Sequence, residues 1–297
     1  MKIRIKKLLL NLLLLSTFST VIFAGDIDRE WEAQIAQKLV ENTGIGEAVW
    51  LKTGDNQFLA LFTEHSAYIA QGAAIILHGM GAHPDWPEVI APIRTSLAEQ
   101  GWSTLSIQLP VLAPGTPVAG YGKTVKEVGQ RIGAAVQLLR DKKFLNIVII
   151  GHSFGAAAAA KYLAEEKKQR IHAFVSIGIR SQKFLNPTLD LMQEIEKIKI
   201  PVLDIYGSRD FDSVVRSAAD RRLAARKSGN RAYRQIEIEG ADHYFTGLES
   251  LLVKRIRGWL EKASPGVAVM VDDDIKKEIG QDVPDAGAET ETETETE

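Results

Sequence analysis

Short apolar runs alternate with amphipathic stretches along most of the chain. Continuous or alternating apolar runs predict strands, whereas apolar residues spaced three or four positions apart predict helices. By this pattern we expect strands at 47–52, 57–64, 73–77, 102–108, 146–150, 173–178, 201–207 and 234–238. We expect helices at 28–41, 88–100, 123–141, 153–166, 188–198, 212–227 and 248–262.

The order of these elements predicts the fold class. The first two strands flank Thr-Gly-Asp-Asn at 53–56, a sequence typical of a β-hairpin turn. After the hairpin, strands and helices alternate, which predicts an α/β fold with a mostly parallel central sheet and helices on both faces. The segment between 178 and 201 is short, so we expect a small lid or none. Ligands of such sheets bind at the carboxyl ends of the strands.

The two ends of the chain differ in composition from its body. Residues 1–24 contain four basic and no acidic residues, followed by an apolar run ending at Ala24, which predicts a signal peptide. An uncleaved membrane anchor is the alternative, although the apolar run is short for a spanning helix. Residues 264–297 contain 11 Asp or Glu and few apolar residues, which predicts a disordered acidic tail. The folded domain is therefore expected at 25–263.

Composition limits the cellular compartment and the classes of binding partner that we expect. The chain has no cysteine, which excludes disulfide bonds, a thiolate nucleophile and Cys-ligated metals. With the signal peptide, this predicts a periplasmic or secreted bacterial protein. The net charge of −2 hides a weakly basic body, which does not predict nucleic-acid binding. A membrane contact is expected only through an uncleaved signal sequence, and the tail indicates a solubilising segment with no identifiable partner.

The sequence Gly-His-Ser-Phe-Gly at 151–155 carries the main chemical signal. It follows a very apolar predicted strand and precedes an Ala-rich predicted helix. This strand–turn–helix setting is that of a nucleophile elbow, where a tight turn exposes a serine at the start of a helix. The alternative is a glycine-rich turn with an incidental serine at the helix N-cap. We predict that Ser153 is a nucleophile.

A serine nucleophile needs a base and an acid to orient it. His243 lies between the last predicted strand and the last helix, where the chain order Ser, acid, His places the base. Asp210 follows the strand before it and is the preferred acid, with Asp212 as the competitor. Asp204 lies within that strand and Asp242 beside the base, so we favour them less.

The loop after the 73–77 strand predicts the remaining parts of the site. His-Gly-Met-Gly at 78–81 has the position of the loop that supplies one oxyanion donor, so we expect the N–H groups of Met80 and Phe154 to hold an oxyanion. We further expect four loop residues to contact substrate: His78, Gly79, His83 and Trp86. The histidines and Asp85 have no recognisable metal-ligand spacing, so no metal is predicted.

Two stretches of the sequence resemble a known family. His78 to Pro87, with Gly-Met-Gly-Ala-His-Pro-Asp-Trp between them, and Gly101 to Pro110 look like the bacterial DUF3530 family. The segment from 73 to 262 as a whole resembles the α/β-hydrolase superfamily, to which that family is similar. The resemblance implies an α/β-hydrolase fold and, because members often begin with a signal peptide, export; it implies no particular substrate.

These features lead to two hypotheses. The first is an exported serine hydrolase that cleaves the carboxylic ester, or a related acyl bond, of a small molecule through an acyl-enzyme, without a cofactor. The second is a non-catalytic binding protein of the cell envelope on the same fold. A complete Ser, Asp and His set favours the first, because a binding protein has no need to keep it.

Overall fold

The computed structural model describes residues 27–168, 170–181 and 183–266. The predicted signal peptide at 1–24 lies outside the described residues, as does the predicted acidic tail beyond residue 266. Within the described ranges, no helix combines the length and the apolar character needed to cross a bilayer.

The strands of the described residues are β1 (Glu47–Thr53), β2 (Asn56–Thr63), β3 (Gly72–Leu77), β4 (Trp102–Ile107), β5 (Ile147–His152), β6 (Ala173–Ile177), β7 (Val202–Gly207) and β8 (Tyr233–Ile238). They form one sheet in the order β1-β2-β4-β3-β5-β6-β7-β8. The strands from β4 to β8 in this order are parallel, whereas β2 is antiparallel to both β1 and β4. This is the predicted mostly parallel sheet with an N-terminal hairpin.

The α-helices of the described residues are α1 (Arg29–Asn42), α2 (Ile90–Ala98), α3 (Val125–Asp141), α4 (Phe154–Glu165), α5 (Leu191–Lys197), α6 (Asp212–Lys227) and α7 (Glu249–Ala263). As predicted, α2 to α6 connect the parallel strands, whereas α1 precedes β1 and α7 follows β8. The connection from β6 to β7 contains only α5, seven residues long, as its one regular element among the described residues. The fold therefore covers the carboxyl edge of the sheet with little more than loops.

Two hydrophobic cores lie on opposite faces of the sheet. Successive side chains of β3 point to opposite faces of the sheet. Ile75 therefore packs in the core beneath α3 and α4, and Ile76 in the core beneath α2 and α7. Both side chains are fully buried. Because the strand is covered on both faces, its sequence is continuously apolar rather than alternating.

Six of the seven predicted helices differ from the observed ones at one or both ends, and at three of them the structure shows why the helix begins later. The helix expected from 153 begins at Phe154, because Ser153 has φ 54°. The helix expected from 188 begins at Leu191, where the Asp190 carboxylate caps it by accepting from Gln193 N–H. A 3-10 helix at Val118–Thr124 precedes α3, which therefore begins at Val125 instead of 123.

Candidate active site

Ser153 occupies a strained turn between β5 and α4. Its φ of 54° and ψ of −116° lie in a region that residues with a side chain rarely adopt. Its backbone N–H donates to Ile177 O of β6 at 2.8 Å, which anchors the turn to the sheet. The serine side chain is thereby presented at the N-terminus of α4 and at the carboxyl edge of the sheet.

The two glycines of the motif permit this turn. A Cβ at Gly151 would lie 2.6 Å from Ala156 Cα, and one at Gly155 would lie 2.5 Å from His78 O. Neither backbone atom can move away without shifting an element of the core. Positions 156–160 are all Ala and almost fully buried, so α4 packs closely on the sheet. The G-x-S-x-G spacing thus follows from close backbone contacts on both sides of Ser153.

His243 and Asp210 form a buried pair at the same edge of the sheet. The Nδ1 atom of His243 lies 2.6 Å from Oδ1 of Asp210. Because an ionised carboxylate only accepts, Nδ1 carries the proton and Nε2 keeps its lone pair. Phe211 N–H donates to the same carboxylate oxygen at 2.6 Å, and the carboxylate is completely shielded from solvent. The imidazole is therefore held in the tautomer that can accept a proton at Nε2.

The other three aspartates have different partners. Asp212 is exposed and forms an ion pair with Arg216 one turn along α6. Asp204 is buried inside β7, where it pairs with Arg221 at 2.8 Å. Asp242 caps its own loop by accepting from the backbone of Tyr244 and Thr246. Of the four candidates, only Asp210 contacts His243.

His152 supports the loop that carries His243. Its Nε2 lies 3.0 Å from the backbone oxygen of His243, so Nε2 donates this hydrogen bond. Burial, followed by the proximity of His243, lowers the pKa of His152 to about 4. His152 is therefore neutral near pH 7, and its hydrogen bond positions His243 without adding charge beside it.

A cavity of about 300 Å³ joins the serine and the histidine. Ser153 and His243 both border it, together with residues of the loop after β3. The structure shows no hydrogen bond from the Ser153 hydroxyl to His243 or to another described residue. The geometry therefore places the hydroxyl and the imidazole in one cavity with their hydrogen bond unformed.

The backbone N–H groups of Met80 and Phe154 have no hydrogen-bond acceptor among the described residues. Phe154 is the first residue of α4, where backbone N–H groups lack helical partners. Met80 borders the cavity beside Ser153. Two donors without internal acceptors are thus available next to the serine.

Comparison with known proteins places the chain in a family. A family model described as a protein of unknown function (DUF3530) matches residues 26–121 and 112–262. The chain belongs to the DUF3530 family. A search of curated protein sequences found no match.

Solved structures show which fold this DUF3530 chain has. It resembles Est1E from Butyrivibrio proteoclasticus with a TM-score of 0.60 and 15% identity, over 73% of this chain and 98% of that one. It resembles dienelactone hydrolase from Anabaena variabilis with a TM-score of 0.58 and 21% identity, over 73% and 97%. An esterase of Pyrococcus furiosus gives a TM-score of 0.60 and 19% identity, over 73% and 92%. The DUF3530 chain has the α/β-hydrolase fold.

The DUF3530 loop after β3 divides into cavity residues and supporting residues. Gly79 and Trp86 border the cavity, and a Cβ at Gly79 would lie 3.4 Å from Ser153 Cβ. His78 differs from the expectation, because it is buried and both ring nitrogens bond to backbone, Nδ1 to Gly79 O and Nε2 to Leu109 N–H. Burial lowers the pKa of His78 to about 3, so it is a neutral link between two loops.

His83 also differs from its expected place. It does not border the cavity; its ring packs edge-on against Trp86, and its Nδ1 accepts from Asp85 N–H. Burial lowers the pKa of His83 as well. His83 thus packs against Trp86, which borders the cavity, and does not border the cavity itself. Within the described ranges, no group of three or more His, Asp or Glu is arranged to hold a metal ion.

Several cavity residues were not predicted from the sequence. Among them are Arg180, Phe211 and Tyr244, which lie on three separate loops. Arg180 follows β6 by three positions, so the rule that sites form at the carboxyl ends of strands was a signal for it. Phe211 and Tyr244 are adjacent in sequence to Asp210 and His243, and each ring lies within 5.2 Å of the imidazole centre.

Proposed function

We propose that the protein is a serine hydrolase that cleaves carboxylic esters of small molecules through an acyl-enzyme. The observation that carries this proposal is that Ser153, on a strained strand-to-helix turn, shares a cavity with His243, whose Nδ1 is bonded to the buried Asp210. A hydroxyl, an imidazole with a free Nε2 lone pair and a shielded carboxylate are the parts that acyl transfer by serine requires.

In the first half-reaction, Ser153 Oγ attacks the carbonyl carbon of the ester. His243 Nε2 takes the hydroxyl proton, and Asp210 stabilises the imidazolium through the hydrogen bond at Nδ1. The Ser153–His243 hydrogen bond is expected to form when substrate enters, since such bonds are often unformed in empty sites. The imidazolium then protonates the leaving alcohol, and the acyl group stays on Ser153.

The tetrahedral intermediate carries a negative charge that needs donors. The unpaired N–H groups of Met80 and Phe154 are the proposed donors, and the positive end of the α4 dipole reinforces them. Each donor is worth roughly 3 kcal/mol in the transition state. Water, activated by His243, then attacks the acyl carbon and releases the acid, which restores Ser153.

The similar structures support an ester as the bond cleaved. The Pyrococcus furiosus protein is described as an esterase, and the Anabaena variabilis protein as a dienelactone hydrolase. The mechanism above needs no cofactor, because proton transfer and charge stabilisation come from the chain itself. We further propose that the predicted signal peptide at 1–24 exports the enzyme to the periplasm or medium.

A fluorophosphonate probe tests the proposal directly. It phosphonylates an activated serine, so the purified wild-type protein is expected to be labelled at Ser153 and to hydrolyse short-chain nitrophenyl esters. Ser153→Ala should abolish both labelling and hydrolysis, and His243→Ala should suppress both. Ser213→Ala, at an exposed serine on α6, is the matched control and should be labelled like wild type.

The same experiment separates the enzyme from a non-catalytic binding protein. Equal labelling of wild type and Ser153→Ala would refute the role given to Ser153. Ester turnover that persists in both Ser153→Ala and His243→Ala would refute it as well. Absence of labelling and of turnover in the folded wild-type protein would favour the binding protein instead.

A further inference from the structure

Arg180 is the one residue with a permanent charge among the described residues that border the Ser153 cavity. The rest of the lining is glycine, apolar or aromatic, apart from Ser153 and the two histidines already assigned. No Asp or Glu is present in the lining to neutralise the guanidinium. The cavity is therefore small, largely apolar and positively charged at one point.

Two aromatic rings hold the guanidinium of Arg180. Its central carbon lies 4.7 Å from the centre of the Phe184 ring and 5.5 Å from that of the Phe211 ring. Phe184 and Phe211 are both exposed, 39% and 45%, and Phe211 borders the cavity. Stacking of this kind fixes the plane of the guanidinium but leaves the N–H groups along its edge unused.

Arg180 has no counter-ion within the described chain. It forms no salt bridge with a described carboxylate, and its buried Nε has no hydrogen-bond partner there. Burial lowers the pKa of Arg180, and the negative charge of Asp210 raises it by less. Asp210 itself directs Oδ1 to His243 and Phe211 N–H. A partly buried cation without a partner costs free energy, and such groups are typical of ligand sites.

Resting on the proposed serine hydrolase, we propose that Arg180 binds a carboxylate of the substrate, which makes the substrate an anionic ester. A planar guanidinium fork matches a planar carboxylate by two parallel N–H···O bonds. The cavity of about 300 Å³ limits such a substrate to a small molecule. The carboxylate resides either on the acyl group, as in a monoester of a dicarboxylic acid, or on the alcohol.

Matched ester pairs test this proposal on the full chain. For the acyl side, 4-nitrophenyl hemiadipate is compared with 4-nitrophenyl hexanoate. For the alcohol side, 4-carboxyphenyl acetate is compared with its methyl-ester analogue. Wild type is expected to prefer the anionic member of one pair by about 10- to 100-fold in kcat/KM, the range of charge-assisted hydrogen bonds. The pair that shows the preference identifies the side.

Substitution of Arg180 should remove that preference. In Arg180→Met the ratio of the two kcat/KM values is expected to fall towards one, and Arg180→Lys should retain part of it through charge without the planar fork. Arg222→Met, which removes an exposed arginine from α6, is the matched control and should keep the wild-type ratio. If Arg180 served only to balance Asp210, Arg180→Met would slow both esters equally and leave the ratio unchanged, which would overturn the proposal.

A binding measurement keeps the carboxylate site testable even without turnover. Calorimetric titration of wild type with adipate monomethyl ester and 4-methoxybenzoate is expected to show binding that Arg180→Met weakens at least about 10-fold. Binding by wild type without ester hydrolysis would refute the proposed function but support the carboxylate site. Equal affinity in wild type and Arg180→Met, or neutral esters preferred in both kinetic pairs, would refute the site.

Discussion

Asp210 and Asp212 lie two positions apart after β7, but their surroundings differ. Asp210 is shielded from solvent and bonded to His243, whereas Asp212 is exposed at the start of α6 and paired with Arg216. Asp210→Asn is expected to lower kcat for ester hydrolysis by about 10³- to 10⁴-fold, because an amide no longer fixes the Nδ1–H tautomer or stabilises the imidazolium. Steady-state kinetics with a nitrophenyl ester measures the change.

Asp212→Asn is the matched control for that prediction. It makes the same change from carboxylate to amide at an exposed position. The ion pair of Asp212 with Arg216 contributes little to stability. We expect kcat to stay within about 2-fold of wild type. A large loss in Asp212→Asn, with near-normal kcat in Asp210→Asn, would reassign the acid to Asp212.

Gly178 is a second residue whose effect should be specific to activity. A Cβ at this position would lie 3.0 Å from Nδ1 of His243 and 3.1 Å from Oδ2 of Asp210, and φ is +57°. Gly178→Ala is therefore expected to push the imidazole away from its carboxylate. We expect at least about a 10²-fold loss of kcat/KM, since displacements of about 1 Å cost this much.

Backbone strain alone must be separated from that displacement. Gly229 also has a positive φ, +73°, but a Cβ there would meet no atom within 4 Å. Gly229→Ala should lower the free energy of unfolding by about 1 kcal/mol and leave kcat/KM near wild type. Activity lost equally in both variants would show that strain, rather than contact with the pair, explains the effect of Gly178→Ala.

At the scale of elements, the sequence predicted the eight strands and a mostly parallel sheet with an N-terminal hairpin, but not the order of the strands in the sheet. The runs at β3 and β5 are continuously apolar because both faces are covered, and that signal is local. The helix boundaries were less predictable where a cap or a strained residue sets them. The start of α4 depends on the φ of Ser153, in a turn that also requires glycine at 155, because a Cβ there would lie 2.5 Å from His78 O of another segment.

Residues of the candidate site were also hard to predict where their positions depend on contacts between distant segments. Ser153, Asp210 and His243 were predictable because the fold assigns each to the end of a particular strand. Arg180 and the rings that stack on it come from different loops, and their contacts depend on how those loops fold over the sheet. Conversely, His78 matched a site pattern, but its ring is used to join the loops after β3 and β4.

A buried ion-pair network joins α1 to α3 and supplies a prediction at this scale. Arg131 of α3 is fully buried and pairs with Glu32 of α1 and with Glu127 of its own helix. Arg131→Met would remove the buried partner of the Glu32 carboxylate and leave it only its ion pair with the partly exposed Arg29 among the described residues. We expect the free energy of unfolding to fall by about 3–5 kcal/mol, measured by urea denaturation.

Two further variants distinguish lost charge pairing from lost packing. Adding Glu32→Gln to Arg131→Met should restore part of the stability, because it removes the buried charge that has lost its buried partner. Arg216→Met breaks an exposed pair instead and should cost less than about 1 kcal/mol. No recovery in the double variant would indicate that the Arg131 side chain stabilises the protein mainly by filling space against Phe58.

At the scale of the whole molecule, two buried neutral histidines couple the fold to pH. His78 joins the loops after β3 and β4, and His152 joins the nucleophile turn to the His243 loop. Burial lowers the pKa of His78 to about 3 and that of His152 to about 4. Both values lie below that of histidine in the unfolded chain, about 6.5, so between these limits the unfolded state binds protons that the native state does not.

The contribution of these histidines to the free energy of unfolding is therefore expected to be fully present above about pH 6.5. It should decrease as the pH falls below that value. Between about pH 7.5 and pH 5.5, each of the two histidines should account for about 1.4 kcal/mol of lost unfolding free energy, before most carboxylates titrate. Urea denaturation at the two pH values measures the loss. In His152→Gln this loss of unfolding free energy should be smaller by about 1.4 kcal/mol, the contribution of one histidine. Ser153→Ala removes no group that titrates in this range, so its loss should equal that of wild type. Parallel stability curves for His152→Gln and wild type would mean that His152 takes up its proton equally in the folded and unfolded states, contrary to its burial beside His243.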